Sequence, residues 1–444
     1  MVERAETTGA EDDSIAIGSK PQLWLHWVSP HLRPPIAVEH GLVIGRDSDC
    51  AVSLPGRGLS RKHAELYRQG PIFALKDLGS RNGTFLNGRR TQHGPVAPGA
   101  VLRVSEYVGV FSEWSGAPPV FRRISDGLYG GAELQTLMLP LERASKSDIP
   151  IVVIGSTGTG KECVARAVHE LSGRAGPFHA INCAALPKDL AEAELFGHRK
   201  GAFTGAEGSN LGHFRAAHLG TLFLDEVAEL TLPIQAKLLR ALEERSVIPL
   251  GDTKSVPIDV RIVAAAPKPL AAFVSAQALR RDLVARLSGL AINLPQLHDR
   301  PADIAPLFRH FMTEYSGGVP PEVDAKLIEC LCMYDWPTNV RGLGQLARQL
   351  LAVHGTKAAL KRSLLPPELL SNVPSGADSA PPPALAPVER KAHDKKQLAA
   401  ALVKNDGNVA VAAASLGFSR HRAYRLLEGR EVSEFVASEL PHAE

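Results

Sequence analysis

The sequence predicts a multidomain chain with an all-β sandwich toward the N-terminus, a central α/β domain carrying a phosphate-holding loop and a helical lid, and an all-α helix-turn-helix toward the C-terminus. Three observations carry that prediction. Residues 20 to about 115 break into short alternating runs between glycine-rich turns, as strands of a sandwich do. Residues 128 to 295 alternate short, wholly apolar runs with helical stretches, the pattern of a parallel sheet covered on both faces. Residues 296 to 370, and again 389 to 432, keep helical periodicity without strands.

Composition bounds the reading. A chain of 444 residues exceeds what one hydrophobic core usually supports, so several domains are expected. With 44% hydrophobic and 22% charged residues and no apolar run long enough to span a bilayer, a membrane partner is not expected. Residues 1 to 19 carry Glu3, Glu6, Glu11, Asp12 and Asp13, lack the basic start and apolar stretch of a secretory signal, and read as a disordered, solvated tail. Cys50, Cys163, Cys183, Cys330 and Cys332 have neither metal-ligand pairing nor disulfide density, which fits a reducing cytoplasm. The net charge is only +3, yet residues 389 to 432 hold nine Lys/Arg against five Asp/Glu, so the basic character is local, as a nucleic-acid-binding end requires.

Taken in order, strands are expected at Leu23–Val28, Gly41–Gly45, Ala64–Tyr67, Phe73–Leu78 and Val101–Phe111. Buried strands of the central domain are expected at Ile151–Ile154, Leu222–Leu224 and Val260–Ala264, with helices over Glu162–Leu171 and Pro233–Glu244. Residues 371 to 388 are rich in Pro, Ala and Ser and cannot build a core; they read as a semi-rigid linker.

The chemistry concentrates at Gly155-Ser156-Thr157-Gly158-Thr159-Gly160-Lys161, which follows an apolar strand and opens a helix. Glycines let backbone N–H groups face phosphates, the helix N-terminus adds favourable potential, and Lys161 neutralises β and γ charges, so ATP is the expected ligand. The Ser/Thr usual after the lysine is Glu162. Some sixty residues on, the apolar strand Leu222-Phe223-Leu224 ends in Asp225-Glu226. Asp225 is expected to hold Mg²⁺, directly or through water, and Glu226 to polarise the attacking water.

Glu192-Ala193-Glu194-Leu195-Phe196-Gly197-His198 followed by Gly201-Ala202-Phe203-Thr204-Gly205-Ala206 resembles the bacterial enhancer-binding proteins, the AAA+ ATPases that activate sigma-54 RNA polymerase. The resemblance spans residues 128 to 370, and its phosphate loop includes Glu162. It implies that the 201–206 loop touches sigma-54 through Phe203 and Thr204. An aromatic between glycines is expected to have nothing to pack on in its own domain. The resemblance further implies that Asn182 holds Glu226 in check, that Arg280 and Arg286 reach a neighbouring subunit's ATP, and that Arg341 senses nucleotide from the lid. Arginines acting in trans imply a ring, by resemblance a hexamer.

One departure stands out. Ala266-Pro267 occupies the place where relatives carry Thr-Asn, and neither side chain can bond a γ-phosphate or position water. Val284-Ala285 likewise replaces an aromatic pair between the two arginines. Hydrolysis with slower or less coupled turnover is expected. Two other readings are a DNA-bound ATP switch that assembles without turning over, and an adaptor whose motor is relict.

At the N-terminal end, Gly45-Arg46, Ser60-Arg61-Lys62-His63 and Asp77 to Gly88 resemble a forkhead-associated (FHA) domain, which implies binding of a phosphothreonine protein or peptide. Arg46, Arg61, Lys62 and Arg81 offer charged donors, Ser60 a hydroxyl, and Asn82 a clamp on the peptide backbone, while His63 braces the loop. Asn408–Leu427 resembles the helix-turn-helix of the factor-for-inversion-stimulation type. Ser419 caps a second helix whose Arg420, His421, Arg422, Tyr424 and Arg425 are expected to meet double-stranded enhancer DNA.

Overall fold

The computed structural model describes residues 20–371, 395, 398–405, 407–416, 423, 426–427 and 430–439. The chain divides into two compact units, one built from the described residues up to Val38 with Tyr107–Leu364, the other from Glu39–Glu106 and the described residues from Leu365 onward. The expected tail over 1–19 and most of the 371–388 linker lie outside the described residues.

The N-terminal strands are β1 (Gln22–Ser29), β2 (Ile36–Ala37), β3 (Leu42–Gly45), β4 (Val52–Ser53), β5 (Ala64–Gln69), β6 (Ile72–Asp77), β7 (Thr84–Leu86), β8 (Arg89–Arg90), β9 (His93–Val96), β10 (Val101–Val104) and β11 (Tyr107–Trp114). In the 39–106 unit, β4-β3-β5-β6-β9 make one sheet and β10-β7-β8 run antiparallel in another. Alternation is clean on β5, where Ala64 and Leu66 are buried and Glu65 and Tyr67 are not. In the other unit, β1 pairs antiparallel with β2 and β11. The single strand expected over Val101–Phe111 is two strands, because Ser105 turns the chain in the left-handed region at φ +55°.

A short hairpin, β12 (Arg122–Ser125) and β13 (Leu128–Gly130), leads into helix α1 (Ala132–Ser145). The central sheet comprises β14 (Ile151–Ile154), β15 (Phe178–Asn182), β16 (Thr221–Asp225), β19 (Arg261–Ala266) and β20 (Leu290–Asn293), in the order β15-β16-β19-β14-β20 with every pair parallel. Two further short strands, β17 (Ser246–Val247) and β18 (Val256–Pro257), form a separate ribbon. The edge strands β15 and β20 were not among those expected. Each buries a single residue, Ile181 or Ile292, so neither reads as a continuous apolar run.

Side chains of the sheet part cleanly to its two faces. Ile151, Val153, Phe223, Val263 and Ala265 join a core with α1 and α2 (Lys161–Ser172). Val152, Leu222, Leu224, Ile262 and Ala264 join another with α3 (Ala191–Phe196), α4 (His213–Ala216), α5 (Leu232–Glu244) and α7 (Arg281–Leu287), beside α6 (Leu270–Ser275). Buried Arg261 closes the α1 end: its guanidinium donates to the carbonyls of Ala144 and Ser145 in the last turn and of Ser147 and Ile149 just beyond it. The lid follows as α8 (Ile304–Tyr315), α9 (Ala325–Met333), α10 (Asn339–His354) and α11 (Pro367–Ser371).

Among the described C-terminal residues are α12 (Val409–Ser415) and α13 (Val432–Glu439). Leu398, Leu402, Ala412, Leu426 and Phe435 share one buried cluster, so the helical unit runs past the boundary at 432 that the sequence indicates. Phe435 supplies the reason, as a fully buried anchor beyond the basic stretch. Among the described residues no helix is long and apolar enough to cross a membrane.

Candidate functional site

The phosphate loop lies where β14 hands over to α2. Gly158 and Gly160 sit at φ +79° and +102°, in the left-handed region that a side chain disfavours. Gly155 N–H donates to Ala266 O at 3.1 Å, tying the loop to the end of β19. Thr159 Oγ1 donates to Ser156 O at 2.8 Å, and Lys161 Nζ to Gly155 O at 3.1 Å, so the buried lysine folds back over the concavity. Glu162, in the first turn of α2, pairs with Arg166 at 2.7 Å across one helical turn.

The lid closes on this loop from above. Asn339, buried at the first residue of α10, accepts from Leu297 N–H at 2.9 Å and donates to Thr157 O at 3.0 Å. Arg341 N–H donates to Gly158 O at 3.3 Å, and the Arg341 side chain is exposed beside the loop. Asn339 did not stand out in the sequence, where only its neighbour Arg341 carried a resemblance. Its signal is spatial, a buried amide joining its helix to residues 182 and 42 positions away in the chain.

The acid strand β16 ends two strands from β14. Asp225 Oδ1 accepts from Glu226 N–H at 3.0 Å, and Glu226 sits at φ +55°, which turns it away from the strand direction. Asn182 faces Asp225 across the parallel register, but its Oδ1 caps Ala184 N–H at 2.9 Å, a local bond and not one to Glu226. Burial pushes the Cys183 thiol up to about 12, with Asp225 and Glu226 adding to the effect, so Cys183 is an inert neighbour. Arg280 forks onto Asp282 at 2.7 and 3.0 Å, and Arg286 donates to Leu242 O at 3.1 Å. Among the described residues neither arginine bonds the phosphate loop, Asp225 or Glu226 of its own chain.

Residues 201 to 206 form a tight double turn, with Gly201 N–H donating to Ala206 O at 2.9 Å and Ala206 N–H to Phe203 O at 3.0 Å. Thr204 is exposed. The expectation that Phe203 has nothing to pack on is wrong: its half-buried ring meets His198 edge-on, with centroids 5.1 Å apart. The turn brings the chain back to its own base, where Arg199 pairs with Asp252 at 2.5 Å.

A second site occupies the 39–106 unit. Arg46 N–H donates to Ser60 O at 3.0 Å, Arg81 N–H to Ser60 Oγ at 3.1 Å, and Asn82 Nδ2 to Gly58 O at 2.7 Å, so three loops converge. Buried His63 accepts from Ser60 N–H at Nδ1, and its Nε2 lies 3.3 Å from Gly83 O, an arrangement that suits the neutral ring. Burial lowers its pKa, opposed by the Gly83 bond and Asp77. A cavity of about 590 Å³ opens there, lined by Arg46, Arg61, Lys62 and Arg81 and also by Arg57, which the sequence reading did not include. The DNA-contact candidates Ser419, Arg420, His421, Arg422, Tyr424 and Arg425 lie outside the described residues.

Residues 129–293 match the Sigma-54 interaction domain. The DNA-binding transcriptional regulator NtrC of a Bradyrhizobium strain is 36% identical over 330 residues, covering 68% of this chain and 69% of that protein. The chain belongs to the sigma-54-dependent transcriptional activators. This activator also matches an FHA domain over 42–105 and an AAA+ ATPase lid domain over 298–382. It is 49% identical to the Sigma54-dependent transcriptional activator SfnR of Pseudomonas putida over half of its own length, and spans 62% of that relative. The crystal structure of NtrX from Brucella abortus in complex with ADP is similar at TM-score 0.50 and 30% identity, covering 66% of this chain and 67% of the other.

Proposed function

We propose that this activator binds enhancer DNA and uses ATP hydrolysis in a hexameric ring to remodel the closed complex of sigma-54 RNA polymerase in the cytoplasm, under control of a phosphothreonine ligand at its FHA domain. The observation that carries the reading is the phosphate loop held between a parallel sheet and a docked lid, in a chain whose relatives are sigma-54 activators. Gly155 to Gly160 would line the phosphates with backbone donors, Lys161 would neutralise the β and γ oxygens, and Arg341 would approach from the lid.

Asp225 suits Mg²⁺: one carboxylate oxygen is engaged by Glu226 N–H and the other is left as a hard donor beside the loop. Substrate phosphates would complete the coordination of the ion, as is usual for Mg²⁺ at nucleotide sites. When bound, the ion neutralises charge on the transferring phosphoryl group. Glu226 polarises water, Asn182 restrains Glu226 once released from Ala184, and Arg280 and Arg286 serve the neighbouring subunit. Phe203 and Thr204 move against sigma-54 when the loop lifts from His198. Arg420, His421 and Arg422, with Ser419, Tyr424 and Arg425, anchor the chain on DNA.

A second reading rests on Ala266-Pro267. Ala266 is fully buried at the end of β19, offers the phosphate loop only its carbonyl, and leaves no polar side chain at that strand end. A hydrolysis-impaired switch, acting as antagonist or co-assembly subunit, would have this construction. Promoter opening with purified sigma-54 polymerase, with and without ATP, decides between the two. ATP-dependent opening lost in Glu226→Gln is expected, and equal opening by both proteins rejects the ATP-driven reading.

A further inference from the structure

A cavity of about 340 Å³ opens at the end of the central sheet away from the phosphate loop, a size at the lower end of small-molecule sites. Asp148, just before β14, and Asp259 and Arg261, at the start of β19, line it together with Arg245 after α5 and Arg286 of α7. The phosphate loop follows the opposite ends of the same two strands, where Gly155 N–H bonds Ala266 O, so the length of a strand separates the two places.

The charges around this cavity do not balance. Arg174 bonds Asp259 and pairs with Asp148 at 3.5 Å, and Arg245 pairs with Asp148 at 3.3 Å, so both acids are already engaged. Arg261 donates only to backbone carbonyls, and Arg286 donates to Leu242 O at 3.1 Å. With Arg174 counted, four guanidinium groups stand against two carboxylates, and among the described residues Arg261 and Arg286 are bonded by no acid. Arg174 and Arg261 each keep a buried Nε without a hydrogen-bond partner. Burial lowers the Arg261 pKa and Arg174 adds to the effect, with Asp148 opposing it. Desolvated positive charge met only by neutral carbonyls is what a bound anion relieves.

Much of the remaining lining is hydrocarbon. Phe214, Ala241, Ile258 and Ile262 are buried in the wall, while Arg245 and Arg286 are exposed. Inorganic phosphate would meet the charge and leave the hydrocarbon wet, whereas a carboxylate carrying an apolar body satisfies both. We infer that this cavity binds a small organic carboxylate with an apolar body, and that its occupancy holds Arg286 within its own chain. The second half rests on the reading of Arg286 as an arginine that serves the neighbouring subunit. A carboxylate is a stronger acceptor than Leu242 O, so a guanidinium engaged on it is withheld from the neighbour's ATP. Turnover of a ring then falls as the cavities fill. The ligand is bound without any covalent step.

The test uses the full chain and four probes at one ionic strength: cyclohexanecarboxylate, its neutral amide, acetate and inorganic phosphate. Calorimetric titration should show cyclohexanecarboxylate binding about ten times or more tighter than each of the other three. Ala241→Phe fills the cavity and should abolish that binding. Arg245→Gln, a change at an exposed side chain, should weaken it about threefold to fivefold and keeps the test in force if Ala241→Phe does not fold. Equal binding of the carboxylate and its amide, tighter binding of phosphate, or undiminished binding by Arg245→Gln overturns the site. At saturation, cyclohexanecarboxylate should also slow wild-type ATP turnover by about tenfold or more with ATP affinity unchanged. Full turnover at saturation overturns the hold on Arg286. A protein that turns over no ATP even without the probe rejects the ATP-driven reading, and with it the hold on Arg286, while the titration still decides the site.

Discussion

Asp77 shows how one side chain can hold a recognition loop in place. Its Oδ1 accepts from Gly79 N–H at 2.9 Å and Ser80 N–H at 2.8 Å, while Oδ2 accepts from Ser80 Oγ at 2.5 Å and Thr84 Oγ1 at 2.6 Å. Burial alone would push the carboxyl up, but the bonds from Ser80, Thr84 and Gly79 together outweigh it and hold it below the ordinary range. A carboxyl depressed on folding contributes stability above its unfolded value near 3.8, and that stability is lost as pH falls through the folded value. Replacing Asp77 by Ala should cost about 2 to 4 kcal/mol at pH 7, since several donors lose a charged acceptor. Urea unfolding of the wild type and the variant checks it. The acid-side loss of stability should be shallower in the variant, and parallel acid profiles would show that the turn is held by something else. The motif Asp77-Leu78-Gly79-Ser80-Arg81-Asn82 was legible in sequence because turn chemistry is local. Arg57 was not, because its place in the cavity depends on how the loop around Gly58 folds back onto Asn82.

The docking of α10 onto the phosphate loop belongs to the scale of elements. A Cβ on Gly158 would lie 2.1 Å from Thr338 O and 3.1 Å from Arg341 Cβ, so the loop and the helix start are in direct backbone contact. Asn339 reaches this position at φ +53°, a conformation that asparagine tolerates better than most residues. Its amide then joins Thr157 O to Leu297 N–H, linking the phosphate loop, the end of the sheet domain and the lid through one group. Replacement by alanine strands the buried Leu297 N–H at about 1 to 3 kcal/mol and leaves the exposed Thr157 carbonyl to solvent. Faster hydrogen exchange at Leu297 and the first turn of α10, with roughly tenfold weaker ATP binding, is expected for Asn339→Ala. Wild-type exchange there would show that the lid is held elsewhere. The strand, loop and helix of the phosphate site were readable because their residues are contiguous. The lid contact was not, since periodicity reports only that α10 has an apolar face. Phe203 was misread for a related reason: its partner His198 lies outside the glycine-flanked motif, and only the closed turn brings the rings together.

At the scale of the whole molecule, the proposed ATP site would draw on a second chain. Lys161, Asp225 and Glu226 converge on the sheet end, yet Arg280 is engaged by Asp282 and Arg286 by Leu242 O, away from their own phosphate loop. If these arginines serve a neighbour, two variants that are inactive alone should complement each other. Glu226→Gln spoils a chain's own site but leaves its arginines for the next chain. Arg286→Ala does the reverse. Each alone should hydrolyse ATP at least on the order of 10³-fold more slowly than wild type, the lower end of the scale of a missing arginine finger. In an equimolar mixture about half of the sites keep Glu226, and about half of those receive Arg286 from the next subunit, so recovery of about one quarter of wild-type turnover is expected under the trans arrangement. Recovery should fall on dilution, because under the trans arrangement the competent site would lie between subunits. A mixture no faster than its parents, at concentrations where wild type forms rings, would place Arg286 in a role within its own chain, such as anchoring α7 to the α5 carbonyl it already meets.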